Sequence, residues 1–303
     1  MTVQLPAPPA APPTVAPAAR RSRFAPGAGD QRKAGPLAYV LLIVAAFVSL
    51  FPLYWNVVAA SHDSTRVQQA PAPLLPGSHL LENLDVAWNQ VHMGVALINT
   101  TVVASVISAS TVLFATLAGF AFAKLHFKGR NLLLALVVAT MTVPPQLTVI
   151  PLYQIITDLQ WTDTLQAVIM PSLVAAFGVF FMRQYLVEAL PVELVEAARV
   201  DGANSLRVIW HVVFPVARPA MAVLAMLTFV QAWNDFFWPF IVLTDTGTPT
   251  LQVSLANLGA GNHTVDTAVV LTGALISTVP LLLVFAFLGK HIVGGITAGA
   301  VKS

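Results

Sequence analysis

Apolar residues along this chain fall into long runs, not into narrow amphipathic stripes. The runs cover roughly 37–60, 95–123, 131–156, 164–186, 219–243 and 267–289. Each reaches the length of about 20 residues that a helix needs to cross the hydrocarbon core of a bilayer. The pattern therefore predicts an all-α integral membrane fold with six transmembrane helices. The third run is interrupted by Pro144, Pro145 and Pro151. Prolines there free backbone groups that must find partners inside protein. They read as a gate or a kink, and the kink is preferred. Polar loops rich in turn formers separate the runs: 61–94, with Pro71, Pro73, Pro76 and Gly77, and 244–266, with Gly247 and Pro249. The connection 157–163 is short, whereas 187–218 is much longer than a turn.

Charge gives these spans a direction. With the N-terminus inside, fourteen of the fifteen Lys and Arg residues fall on the inner side, and only Arg66 falls outside. That is the positive-inside bias, and it predicts both termini in the cytosol. Composition agrees with lipid as the solvent: 57% of residues are hydrophobic and 9% charged, with a mean hydropathy of +0.78. Soluble domains carry about a quarter charged residues. No cysteine is present, which excludes disulfides and thiol nucleophiles. Residues 1–34 are Pro/Ala-rich, then basic, and lack a signal-peptide core. They are expected to form a disordered cytosolic tail ahead of a six-helix transmembrane domain at 35–303.

The long inner loop has its own local code. Pro191 suits the first turn of a helix, Glu193 and Glu196 suit its positive N-terminal end, and Gly202 suits the position just past its C-terminus. Residues 192–201 should therefore be a short helix beneath the membrane. Asp201 is expected to cap a second one, through the N–H of Ala203 or Asn204, running from about Ser205 to Val213 and stopping before Pro215. Ala197 and Ala198 keep one face small enough for another protein to approach.

Glu196-Ala197-Ala198, then Asp201-Gly202-Ala203, then Phe214-Pro215 resembles the EAA loop of permeases in binding-protein-dependent ABC importers. Val212 and Phe214 stand where that family usually has Ile and Leu. Other stretches resemble the carbohydrate, maltose-transport branch: Gly119-Phe120-Ala121-Phe122-Ala123-Lys124-Leu125 with Phe127-Lys128-Gly129-Arg130, Ile150-Pro151-Leu152-Tyr153, Trp233-Asn234-Asp235-Phe236-Phe237-Trp238-Pro239, and Gly295 to Lys302. The resemblance runs from about residue 37 to the end. It implies a multi-pass protein of the bacterial plasma membrane that carries a sugar by alternating access. Glu196, Ala197, Ala198, Asp201, Gly202, Ala203 and Pro215 would couple it to a separate ATPase dimer that binds ATP and Mg. A second permease chain and an external sugar-binding protein complete the implied partners, with no nucleic acid. The chain has no Gly-x-x-x-x-Gly-Lys-Ser/Thr phosphate loop, so no cofactor is expected in it.

Within the spans, Asp235 is the lone carboxylate. Intramembrane charges face protein or a water-filled path. Gln231, Asn234 and Asp235 share a helix face at i, i+3 and i+4, flanked by Trp233 and Trp238. Amides, a carboxylate and aromatic rings would suit a sugar path, with Asn99 a weaker member. The plainer readings are interface anchoring for the tryptophans, pairing with a partner subunit for Asp235, and helix–helix glue for Asn99, Thr100 and Thr101. The seven His residues lack metal-ligand spacing, and no nucleophile has a nearby base. An integral-membrane enzyme is therefore a poor fit, and an ion-gradient-driven transporter is the main alternative to an ATP-driven importer.

Overall fold

The computed structural model describes residues 35–245, 247–260 and 266–300, with side chains to 286. The expected tail 1–34 lies outside these residues. In chain order the helices are α1 (Pro36–Ala60), α2 (Ser64–Gln68), α3 (Leu80–Gln90), α4 (Met93–Lys124), α5 (Arg130–Thr140), α6 (Val149–Asp158), α7 (Leu165–Ile169), α8 (Ala176–Ala189), α9 (Val192–Val200), α10 (Ser205–Val208), α11 (Phe214–Trp233), α12 (Phe237–Val242), α13 (Leu251–Gly259) and α14 (Thr267–Ala300). No strand occurs among the described residues. Five helices are long and apolar enough to cross a membrane, and a sixth span arises if a bent pair is counted as one.

The 32-residue α4 organises residues 52–303. Its buried positions recur at three- and four-residue spacing, from Ala96 through Thr100, Val103, Ala104, Ile107 and Thr111 to Ala115 and Gly119. Against this face pack α8 and α11. The α4–α8 approach is close because Gly119 and Gly178 lack side chains. A Cβ on Gly119 would lie 2.8 Å from the Met182 Cβ, and one on Gly178 would lie 3.1 Å from the Ala115 Cβ. Small residues at a crossing let two membrane helices gain dispersion contacts that larger ones prevent. One core, with Val112, Phe120, Met182, Leu186, Ala217 and Leu224, fills the end of the bundle nearest α9. This is the end expected inside. The opposite, outer end holds a core of Ala87, Met93, Ala96, Trp233 and Leu251.

Three spans depart from the sequence expectation. The third is broken, not kinked: α5 and the segment Pro145–Asp158 meet at 94°. The chain between them holds Pro144, which cannot donate a backbone bond, ahead of a 3-10 turn at Pro145–Thr148. In the fourth, a 3-10 turn at Met170–Ser172 and non-helical Leu173–Ala175 precede α8. The Leu173 carbonyl freed there accepts two hydroxyls from α4: Ser110 Oγ at 3.1 Å and Thr111 Oγ1 at 3.4 Å. The fifth begins earlier than its apolar run. Helix continues from Ser205 to Trp233 as one 29-residue stretch, through a five-residue π turn at Ile209–Val213. The expected stop before Pro215 does not occur. Pro215 instead lies inside this continuous stretch, directly after the π turn, where its missing N–H leaves one backbone bond unmade.

Candidate functional site

The inner-end knob is built from short-range bonds. Helix α9 ends in a Schellman-type turn: the Ala203 N–H donates to Ala198 O at 2.9 Å, and the Gly202 N–H to Arg199 O at 3.0 Å. Gly202 holds φ +81°, and a Cβ there would meet nothing within 4 Å. Glycine is therefore needed for its backbone angle, not for space. Ala198 and Ala203 close the turn and lean on the inner core. Asp201 does not cap the following helix. It occupies the C-terminal cap of α9, and the N-cap is Asn204, whose Oδ1 accepts the Arg207 N–H at 2.9 Å. An Asn directly before Ser205 was a readable cap signal, whereas the π turn after it had none. Val195 and Val208 anchor the knob inward, both buried. Glu196, Ala197, Asp201 and Pro215 are exposed. Beside them Val192, Leu194, Leu206 and Trp210 lie open, and Val200 is 88% exposed. This is an apolar surface with charged edges that nothing among the described residues covers.

At the other end of the same helix the polar cluster sits on a break. Helix α11 stops at Trp233, and Asn234-Asp235-Phe236 is non-helical before α12. Gln231 and Asn234 are exposed, and Asp235 is half-buried. The Asn234 side-chain amide donates to Val230 O at 2.8 Å. The Asp235 carboxyl meets the backbone N–H groups of Phe237 and Trp238 at the start of α12. Gln231, in the last turn of α11, and Asn234 and Asp235, just past its end, thus do not share one helix face as expected, and lie as neighbouring polar groups at the break. Two other candidates are placed elsewhere. Trp233 is 1% exposed, stacks on Phe229 and donates its indole N–H to Ser277 O at 3.2 Å. It offers no ring face to a sugar. Trp238 is likewise buried and donates to Ala167 O at 2.9 Å. Asn99 donates to Pro249 O at 3.0 Å, and the neighbouring Thr100 hydroxyl accepts the Leu251 N–H at 2.7 Å. Both secure the start of α13. Among the described residues no three His, Asp or Glu side chains converge as a metal site requires.

Known proteins place these features in a family. A family model described as a binding-protein-dependent transport system inner membrane component matches residues 111–297. The arabinooligosaccharides transport system permease protein AraQ of Halalkalibacterium halodurans is 32% identical over 281 residues, covering 90% of this chain and 99% of that protein. The sn-glycerol-3-phosphate transport system permease protein UgpE of Escherichia coli is 32% identical over 266 residues, covering 86% and 94%. A chain in the crystal structure of a bacterial ABC transporter involved in the import of the acidic polysaccharide alginate superposes with a TM-score of 0.72 at 24% identity, covering 84% of this chain and 94% of that one. This last likeness speaks for the fold. With the family model spanning more than half of the sequence, the chain belongs to the inner membrane components of binding-protein-dependent transport systems.

Proposed function

We propose that this chain is the membrane subunit through which an ATP-driven importer passes a neutral sugar or oligosaccharide. The observation that carries the reading is one continuous helix, Ser205–Trp233, with the exposed knob at its start and the polar break at its end. A push on the knob is passed toward Asn234 and Asp235 through residues that are helical throughout, with a π turn at Ile209–Val213 on the way. The exposed face of Glu196, Ala197, Asp201 and Gly202, with Val200 at its tip, docks on a partner ATPase, which binds ATP and Mg. Nucleotide and ligand then shift the balance between inward- and outward-open states. Both termini lie in the cytosol of a bacterial cell. A second, homologous permease chain covers the open side of the path, and an external sugar-binding protein delivers the cargo. Gln231 and Asn234 offer amides, and Asp235 a carboxylate, to substrate hydroxyls. A carboxylate attracts hydroxyl donors and repels phosphate or uronate groups. This favours a neutral cargo like that named for AraQ over the anionic cargoes named for UgpE and the alginate transporter.

Because the chain has no cysteine, single-cysteine variants give a clean test. In intact cells, Asn89→Cys should react with an impermeant maleimide and Ala197→Cys should not. Gly202→Val forces a β-branched residue into φ +81°, a costly backbone state. It should reduce ATPase co-purification while the permease still reaches the membrane. External labelling of Ala197→Cys, or full ATPase recovery with Gly202→Val, would overturn the reading.

A further inference from the structure

The three consecutive breaks define a boundary. Beyond them lie α6, α7 and α12, and these pieces share a core of Ile156, Ala167, Val168, Trp238, Val242 and Leu243, seated on Val103 and Ile107 of α4. The segments on the other side belong to the inner core around Met182, Leu186 and Leu224. The outer pieces are thus packed on one another more than on the helices they continue.

One residue fastens them. Asp163, in the connection between α6 and α7, has φ +59°, a backbone state that L-residues other than Gly, Asn and Asp rarely hold. Its N–H donates to Val242 O at 2.8 Å. Its Oδ1 accepts the Thr244 N–H at 2.5 Å, the Thr244 hydroxyl at 2.9 Å and the Asp245 N–H at 2.8 Å. Its carbonyl accepts the Thr248 hydroxyl at 3.0 Å. An αL residue whose carboxylate and both backbone groups all bind a segment about eighty positions away is over-determined by its surroundings. A backbone state held in that way points to a role.

We infer that Asp163 is a positioning residue for transport: it latches α12 to the corner between α6 and α7, so that the outer pieces of spans three, four and five move as one body. In that arrangement Asn234-Asp235 is the joint between this body and the long inner helix, and the polar groups of the path sit at the joint. The inference rests on the importer reading, since the motion is driven from the knob. It adds a residue that touches no cargo and acts through the geometry of α12.

The test is hydrogen exchange, followed by mass spectrometry, on the chain purified in nanodiscs with its co-purifying subunits, with and without ATP plus vanadate. Three variants accompany the unaltered chain. Asp163→Ala removes the acceptor, Asp163→Asn keeps an acceptor oxygen and tolerance of the backbone angle, and Asp163→Gly removes the acceptor but keeps that tolerance. In the unaltered assembly, nucleotide should change exchange in 165–172 and 237–245 together. In resting Asp163→Ala, exchange should rise about tenfold in both segments. The nucleotide response of 165–172 should vanish although ATP hydrolysis continues, and Asp163→Asn should restore it. If Asp163→Ala fails to accumulate, Asp163→Gly gives the same readout. A rise confined to 243–248, with the response of 165–172 intact, would overturn the latch, as would an unaltered assembly whose two segments respond separately. An assembly that hydrolyses no ATP would instead sink the importer reading, and the resting comparison would still decide the latch.

Discussion

The two ends of the long fifth helix are held by different kinds of bond. At the inner end, the turn at Gly202, the cap at Asn204 and the first turn of α9 all use partners within five residues. At the outer end, Trp238 reaches Ala167, Asp163 reaches Thr244, and the hydroxyls of Ser110 and Thr111 reach the carbonyls of a span more than sixty residues on. A short-range device survives whatever the rest of the chain does. A long-range one exists only when several helices are already in place. The knob should therefore behave as a rigid fixture, while the outer region should stand or fall as a unit.

Removing the largest outer contact should break that contrast most sharply. Trp238→Ala deletes a buried ring and leaves Ala167 O without its donor, at a cost of about 3–5 kcal/mol. It should lower the unfolding midpoint of the purified protein and deprotect α7 as well as α12. Trp238→Phe, which keeps most of the ring, should recover the greater part. A smaller loss is expected from Ser110→Ala combined with Thr111→Val, because hydroxyl bonds between membrane helices contribute roughly 0.6 kcal/mol each on average. Together they should cost about 1–2 kcal/mol, with increased hydrogen exchange at 172–175. Asn204→Ala should cost about 1 kcal/mol, with faster exchange limited to 203–210 and an unchanged outer region. Spread of that effect to α12 would contradict the contrast.

Acid should have the smallest effect. The Asp245 N–H holds the Asp163 carboxyl below the ordinary value of 3.8, burial pushes the other way, and the Thr244 hydroxyl and N–H add to the lowering. A lowered value means that this contribution to stability is complete above about 3.8 and is lost only as pH falls through the lower folded value. Asp245, whose N–H the Asp163 carboxyl accepts, brings another carboxylate on the facing loop. Exchange at Thr244 and Asp245, corrected for intrinsic rate, should therefore stay level between about pH 8 and pH 5.

What could be read from the sequence follows the same division. Helix α9 and its glycine end depend on neighbours within a turn or so, and their residue types state them directly, whereas the expected single helix face of Gln231, Asn234 and Asp235 does not form because α11 ends at Trp233. The first, second and sixth runs correspond to α1, α4 and the start of α14 within a few residues. Prolines marked the break in the third span, but the next one was harder to read for a physical reason. Leu173-Val174-Ala175 itself carries no helix breaker, although Pro171 stands just ahead of it, and where it leaves the helix the Leu173 carbonyl accepts the Ser110 and Thr111 hydroxyls of another span. Trp233 and Trp238 looked like candidates for sugar stacking because an indole reads the same whether its ring faces a path or a core. Only the positions of Ser277 and Ala167 decide that. Pro215 misled in the opposite direction, since a residue that normally ends a helix lies here inside one, just after a π turn.

The unbroken run from Ser205 to Trp233 has a mechanical consequence. Its 29 residues, at a rise of about 1.5 Å each, make a lever arm of about 43 Å. Tilting such an arm by about 7° from its foot sweeps the far tip through about 5 Å, the pitch of one helical turn. A small rocking at the membrane surface is thereby geared up into a stroke as wide as a hydroxyl-bearing ring is thick, delivered where the chain is already free to bend.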